Sequence, residues 1–403
     1  MKKKCLLINQ HTSNHGDEAA AKGILRLLKN ENYDISILYN TLHKLSKDEK
    51  ILVDGINHYD TGGIKFIDKV LIYLTFLLPF YLVKKLYFLS DKLSNEYKII
   101  NENEYIINGP GGVNIGPYKD WKYIWRLFVS LKLNKKVAIY SISFGPLPTE
   151  RIFKKISFFI LNNCHFLSLR DNKSQQFARE MNINYQPSID TAFLDKFENN
   201  NLPDDLKFLS RMSYVVIVPN QLYKWHPNFM KFDAEIVDNF YLQIINKFLE
   251  NDIKIILLPQ LFGGDNDYDY FMKLKNKSFN ENNVYVINEN YDSDIQQLII
   301  RKSKFLIGSR YHSIIFSVKN KIPFYSLSYE HKMKNTLEIL DLSQYSSDLL
   351  EILKNKDKDI INKIYSIYSQ SSSISIEDAC NKAKYIANDT FKCFKNKYFK
   401  DSI

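Results

Sequence analysis

Short apolar runs, each followed by a polar turn and a segment of helical periodicity, recur along most of the chain. Strands are expected over 5–8, 34–39, 104–107, 137–141 and 166–169, and again over 214–218, 253–258, 284–287, 304–308 and 324–328. Helices are expected between them over about 17–30, 118–133, 150–161, 172–180, 233–250, 293–302 and 313–320. The runs are continuous rather than alternating, the pattern of strands buried on both faces. Strand alternating with helix predicts an α/β protein of parallel βαβ units. The acidic, polar segment 197–207, with Pro203 in it, reads as a linker. Three parts follow: an N-terminal β/α domain over 1–198, a second over 208–344, and a helical tail over 345–403. The tail has too little strand pattern for a third α/β domain and is expected to pack back on the first.

One stretch breaks this rhythm. From Ile64 to Leu89 the chain is apolar and aromatic, with VLIYLTFLLPFYLV at 70–83, and it carries Thr75 and Pro79 within it. That run is shorter than the roughly 20 residues that span a bilayer. Lys65, Lys69, Lys84, Lys85 and Lys92 flank it. Two readings stay open: a pair of buried helices, or a basic-flanked aromatic patch resting on a membrane face.

With 403 residues, 45% hydrophobic and 25% charged, the chain has the composition of an ordinary globular protein. The net charge of +10 suits an anionic partner. The lysines are scattered, and no nucleic-acid-binding signature accompanies them, so nucleic acid is not expected. Cys5, Cys164, Cys380 and Cys393 form no C-x-x-C pair and no metal spacing, and read as free thiols of a reducing compartment. The opening lysines and the 5–8 run resemble the start of a signal peptide. The apolar core is too short, however, and Asn9-Gln10-His11 follows at once. A cytoplasmic protein is expected, with a peripheral place on the inner membrane face left open.

The chemistry collects at strand ends. Parallel units place binding sites beyond the carboxyl ends of their strands. After the 304–308 run come Arg310, Tyr311 and His312 at the start of a helix, whose N–H groups and dipole favour an anion. A guanidinium grips two oxygens, and an imidazole can give or take a proton. Structural roles compete with this: Arg310 pairing with a carboxylate, His312 capping. Arg170 repeats the placement after the 166–169 strand. N-H-G-D (Asn14 to Asp17) ends the first strand's loop, with Asp17 expected as helix N-cap and Gly16 as a tight turn. His11, His15 and Asp17 have no further ligands spaced to complete a metal site. N-G-P-G-G (Asn108 to Gly112) lets backbone approach a ligand, although tight turns also collect glycine. Asp265, Asp267 and Asp269 resemble half a calcium loop but lack its glycine and glutamate, and are expected to form a solvated loop.

Taken in order, N-x-G-D, N-G-P-G-G, S-x-G-P (Ser143 to Pro146), L-R-D with Ser174, I-D-T-A-F (Ile189 to Phe193), L-P-Q (Leu258 to Gln260), R-Y-H and P-F-Y-S-L-S-Y-E-H-K resemble the polysaccharide pyruvyl transferase family. The resemblance covers about residues 5–335, R-x-H being its most specific part; Pro110 and the 64–95 insert depart from the pattern. It implies a GT-B-like fold: two Rossmann-like β/α domains with a cleft between them. It also implies transfer of pyruvate from phosphoenolpyruvate, as a ketal, onto a sugar of a cell-surface polysaccharide or its lipid-linked precursor, with release of phosphate. No cofactor and no metal are expected. Arg170, Arg310, Tyr311 and His312 match the donor-binding positions, with His312 as acid and Asp17 as base. Asn14, Gly16, Asp17, Gly111 and Gly112 are expected on the acceptor side, with Gly145 and Lys332 as further candidates. The alternative is a glycosyltransferase on the same frame, in which Arg310 and Lys332 bind the diphosphate of a nucleotide sugar.

Overall fold

The computed structural model describes residues 2–31, 33–46, 49–196, 201–263, 266–288, 290–357 and 359–399. Residues 197–200 of the expected linker, and Asp265 of the acidic loop, lie outside the described residues. The chain forms two compact units. The first comprises 1–12, 17–196 and 385–403; the second comprises 13–16 and 197–384.

The first unit is built on a seven-stranded parallel sheet: β1 (Lys4–Gln10), β2 (Asp34–Tyr39), β3 (Asn57–Tyr59), β4 (Tyr105–Asn108), β5 (Lys136–Ile142), β6 (Phe166–Leu169) and β7 (Gln186–Pro187). Their order is β3-β2-β1-β4-β5-β6-β7. The β1–β4 register pairs Cys5 with Tyr105 and Ile8 with Asn108. Leu6, Ile8, Ile106, Val137 and Ile139 are fully buried, which explains the unbroken apolar runs. The chain reverses its direction of strand addition between β1 and β4, so the loops after these two strands leave the sheet at its topological switch point. They are the N-H-G-D and N-G-P-G-G loops.

A six-stranded parallel sheet forms the second unit: β8 (Tyr214–Val218), β9 (Lys254–Leu257), β10 (Val284–Val286), β11 (Phe305–Gly308), β12 (Phe324–Ser328) and β13 (Ser346–Asp348), in the order β10-β9-β8-β11-β12-β13. Its switch point lies between β8 and β11, and Arg310 and His312 follow β11.

Three strands fall where none was expected, the two-residue β7 among them. β3 comes from a stretch read as irregular, and β13 from the supposed tail. β13 pairs with β12 through Ser326–Ser346 and Ser328–Asp348. Short polar strands at sheet edges carry no apolar run, so their pairing is a backbone matter that hydrophobicity does not record. The tail itself divides. Leu349, Ile352, Leu353, Ile360 and Ile364 join the second unit's core. From Tyr385 on the chain belongs to the first unit, where the Tyr398 hydroxyl donates to the Ile106 and Lys136 carbonyls.

The apolar insert is divided between a buried and an exposed face. It forms a helix over Phe66–Leu77, a short one over Phe80–Val83 after Pro79, and a tight turn of helix over Lys84–Leu89. Leu71, Ile72, Val83 and Tyr87 face inward and are buried in the first unit's core. Phe66 is 82% exposed, Phe88 72% and Tyr81 61%, and Leu77, Leu78, Leu82 and Leu89 are exposed beside them. Among the described residues no helix is long and apolar enough to cross a membrane.

Candidate functional site

Within the second unit, three segments far apart in sequence meet. Asn14 forms an isolated antiparallel bridge with Leu261. The His15 N–H donates to the Gln260 carbonyl at 3.0 Å, and the Phe262 N–H to the Ser13 carbonyl at 3.2 Å. The His15 ring stacks on Phe262, centroids 4.6 Å apart. Gly16 then lies so close to His312 that a methyl at position 16 would overlap the imidazole ring. The glycine is required by this approach, not by a left-handed turn. N-H-G-D, L-P-Q and R-Y-H thus form one surface. Asn14 and Gly16, expected on the acceptor side with the first domain, pack with the second unit.

The helix Tyr311–Lys319 begins at this surface with Arg310 as its N-cap residue. The Arg310 guanidinium pairs through Nη2 with Asp267, whose other oxygen accepts the Gln260 and Leu261 N–H groups at 3.0 Å each. Asp267 is 3% exposed, which corrects the reading of its loop as simply solvated. The Arg310 Nε is buried with no hydrogen-bond partner among the described residues. A cavity of about 680 Å³ opens beside it, lined also by Asp267, Asp269, Tyr270, Trp225 and Lys224. Burial pushes the Tyr241 phenol up to about 12, so it stays protonated and donates to Ser309 Oγ at 2.9 Å, fixing the turn that leads to Arg310. Tyr311 is buried, its hydroxyl 3.2 Å from Thr336 Oγ1. Lys332 pairs with Glu330 at 2.9 Å and lies 5.5 Å from the Tyr311 ring centroid.

In the first unit the helix His15–Asn30 starts two residues earlier than expected. Asn14 Oδ1, not Asp17, accepts the early N–H, that of Gly16, at 2.8 Å. Asp17 lies inside the helix, half-buried, and its carboxylate has no partner among the described residues. His11 is within 3.0 Å of Asn114 Nδ2. Among the described residues no three His, Cys, Asp or Glu side chains group as a metal site.

Arg170 is 3% exposed and bound on three sides. Its Nη1 donates to Asp190 at 2.6 Å, Nε to Ser143 Oγ at 3.1 Å, and Nη2 to the Gly111 carbonyl at 3.0 Å. Arg170, expected among the donor-binding residues, thus clamps the glycine loop in this structure. Asp190 of I-D-T-A-F is its counter-ion, a role missed at the level of motifs because the pairing is tertiary. Gly109 is needed for packing, since a Cβ there would crowd Ile8 and Gln10. Gly111 and Gly112 are not: a Cβ would meet nothing nearer than 3.8 and 3.5 Å. Neither has positive φ, so the protein itself does not require glycine there. Gly145 differs again: its φ is +76° and its N–H donates to the Ile115 carbonyl at 3.0 Å.

Comparison with known proteins bears on this arrangement. The family description "Polysaccharide pyruvyl transferase" matches residues 14–331, from the N-H-G-D loop to the end of the P-F-Y-S-L-S-Y-E-H segment. The chain belongs to this family. As a family member it is a transferase. Its relatives include the amylovoran biosynthesis protein AmsJ of Erwinia amylovora, 22% identical over an alignment of 393 positions that covers 92% of this chain and 93% of that one. Among solved structures, the UDP-GlcNAc 2-epimerase of Methanocaldococcus jannaschii is similar with a TM-score of 0.61 at 12% identity, covering 98% of this chain and 99% of that chain. The MnaA–UDP structure from S. aureus gives 0.60 at 8% identity, covering 100% and 98%. These likenesses establish the GT-B-like α/β fold for this pyruvyl transferase family member.

Proposed function

We propose that this protein transfers the pyruvyl unit of phosphoenolpyruvate, as a ketal, onto a sugar of a surface polysaccharide or its lipid-linked precursor. The observation that carries the reading is the junction of N-H-G-D, L-P-Q and R-Y-H. It sets His312 on the first turn of a helix whose N-cap residue, Arg310, lines an open cavity.

The donor brings a phosphate and a carboxylate. Arg310 and the helix N-terminus bind the phosphate, with the Tyr311 amide among the donors. Arg170 supplies the carboxylate's counter-charge: Asp190 and Ser143 fix its plane, and the Gly111 carbonyl is the contact it exchanges for substrate. His312 delivers a proton to the methylene carbon, which becomes the methyl of the product. The central carbon is then electrophilic. One sugar hydroxyl adds to it, the C–O bond to phosphate breaks with its electron pair going to phosphate, and a second hydroxyl closes the ketal. One hydroxyl proton replaces that given by His312, and the other leaves with phosphate. Asp17 receives the first and loses it to solvent, from which His312 is reprotonated before the next turnover, and Gly111 and Gly112 leave room for the sugar. No step calls for a metal or a cofactor. The exposed aromatic insert supports a lipid-linked acceptor and a place on the inner membrane face.

His312→Ala and Arg310→Ala are each expected to lower acceptor-dependent phosphate release on the order of a hundredfold. Near wild-type release by both variants would remove the site assignment. The glycosyltransferase alternative predicts instead release of nucleotide from a nucleotide sugar.

A further inference from the structure

Beside the insert the first unit has a second cavity, of about 650 Å³, in the size range of small-molecule sites. Ile64, Val70, Tyr73 and Leu74 form its apolar wall, and Trp121, also lining it, packs edge-on against Tyr73 with ring centroids 5.6 Å apart. Its polar edge is mainly basic: Lys69, Lys119 and Lys122 line it, with Asp120 and Glu150. The two acids are partly committed. Asp120 accepts the Tyr123 N–H at 3.0 Å and Asn40 Nδ2 at 2.8 Å, and Glu150 stands 3.8 Å from Lys119. Lys122, only 5% exposed at the wall, is committed to Glu96 at 3.6 Å, which leaves Lys69 and Lys119 as the exposed cations of the edge.

Two further features give this cavity a direction. Tyr73 on this wall belongs to the same exposed stripe of the Phe66–Leu77 helix as Phe66 and Leu77, which gives an apolar chain a route to the cavity. The glycine loop continues directly into the opposite wall. Gly112 lies against Tyr118, and Lys119, Asp120 and Trp121 follow. A molecule with an apolar chain, a phosphate and a sugar, in that order, matches this sequence of surfaces.

We propose that the cavity seats the hydrocarbon chain of a polyprenyl-phosphate-type carrier, with Lys69 and Lys119 meeting its phosphate. The carrier is that of the acceptor, so the inference rests on the pyruvyl transfer reading and names its substrate class. Val70 and Trp121 hold the chain, and the lysines select a charged over a neutral headgroup.

The probe is farnesyl phosphate carrying a diazirine on its chain, photolysed with the full chain and mapped by peptide mass spectrometry. Labelling is expected within 64–74 and 119–122. It should be competed by unlabelled farnesyl phosphate, and neither by inorganic phosphate nor by dodecyl maltoside. Val70→Trp, which fills the cavity, should lower labelling about tenfold. Lys69→Glu with Lys119→Glu, both on exposed positions that leave the fold alone, should weaken it several-fold. Labelling elsewhere overturns the proposal. So does equal labelling of wild type and both variants while the protein still sediments with anionic vesicles, which would make the insert a general membrane face. Failure of the underlying reaction reads differently. Site-specific labelling without phosphate release from phosphoenolpyruvate keeps the cavity and retires pyruvyl transfer. Phosphate release with no labelling retires the cavity alone.

Discussion

At position 16 anything larger than hydrogen would enter the space of the His312 ring. Gly16→Ala therefore tests whether that ring must stand where it does. The variant is expected to lose on the order of a hundredfold in kcat, the effect of displacing a reacting group by about an ångström. Its stability should fall by no more than about 1–3 kcal/mol, as for other overpacked sites. Unchanged kcat in a folded variant would show that His312 is not held for chemistry. The individual residues were unevenly legible. Arg310 and His312 could be placed from the strand–turn–helix pattern alone, because a helix N-terminus after a parallel strand is a local feature. Asp17 could not, because Asn14 and Asp17 are both good capping residues and only the bridge to Leu261 fixes where the helix starts. Asp267 was unreadable for a different reason. Its partner Arg310 is brought to it by the fold, and nothing in an alternating acidic loop announces the pairing.

Among the elements, the helix that ends the insert and runs on to Asn101 is joined to the sheet by buried charge. Glu96, on the helix Asp91–Asn101, receives Nε and Nη2 of Arg126, on the helix Trp121–Lys132, at 2.8 Å each. Arg126 also donates to the Tyr39 carbonyl, at the end of β2. Burial alone would raise the Glu96 carboxyl, but Arg126 and then Lys122 bring it to about 2. Lys122, 3.6 Å from Glu96, is lowered from the ordinary 10.5 to about 7, first by burial and then by Arg126, which holds the carboxylate more closely. Glu96, Lys92 and Asp60 also act on it. Between about pH 7 and about pH 10.5 the unfolded chain binds a proton at Lys122 that the folded chain does not, so stability rises with pH there, by at most about 1.4 kcal/mol per unit. Below about 7 both states are protonated and the cost of burying the ammonium is fully present. Lys122→Met should remove this rising component from melting temperature measured across the window. Parallel slopes for the two proteins would show that Lys122 titrates normally. A lysine at this position looks like any other in a lysine-rich sequence, and its burial beside Arg126 is a property of packed helices.

For the molecule as a whole, the two parallel sheets were readable because their central strands are buried on both faces and so are apolar without interruption. What escaped were the edges and the tail. β3 and β13 are short and polar, and the helices after β13 complete the second core instead of returning at once to the first. The family likewise was legible only from motif order, since each motif is short and the relatives share little sequence. The proposed chemistry is directly open to measurement. The protein would be incubated in deuterium oxide with phosphoenolpyruvate and a panel of surface-polysaccharide precursors, and the glycans read by mass spectrometry alongside phosphate. The expected result is an acceptor enlarged by one pyruvate ketal whose methyl carries a single solvent deuteron, with one phosphate released for each ketal formed. An acceptor that gains no mass from phosphoenolpyruvate but does gain a sugar from a nucleotide sugar, with nucleotide released, would contradict it.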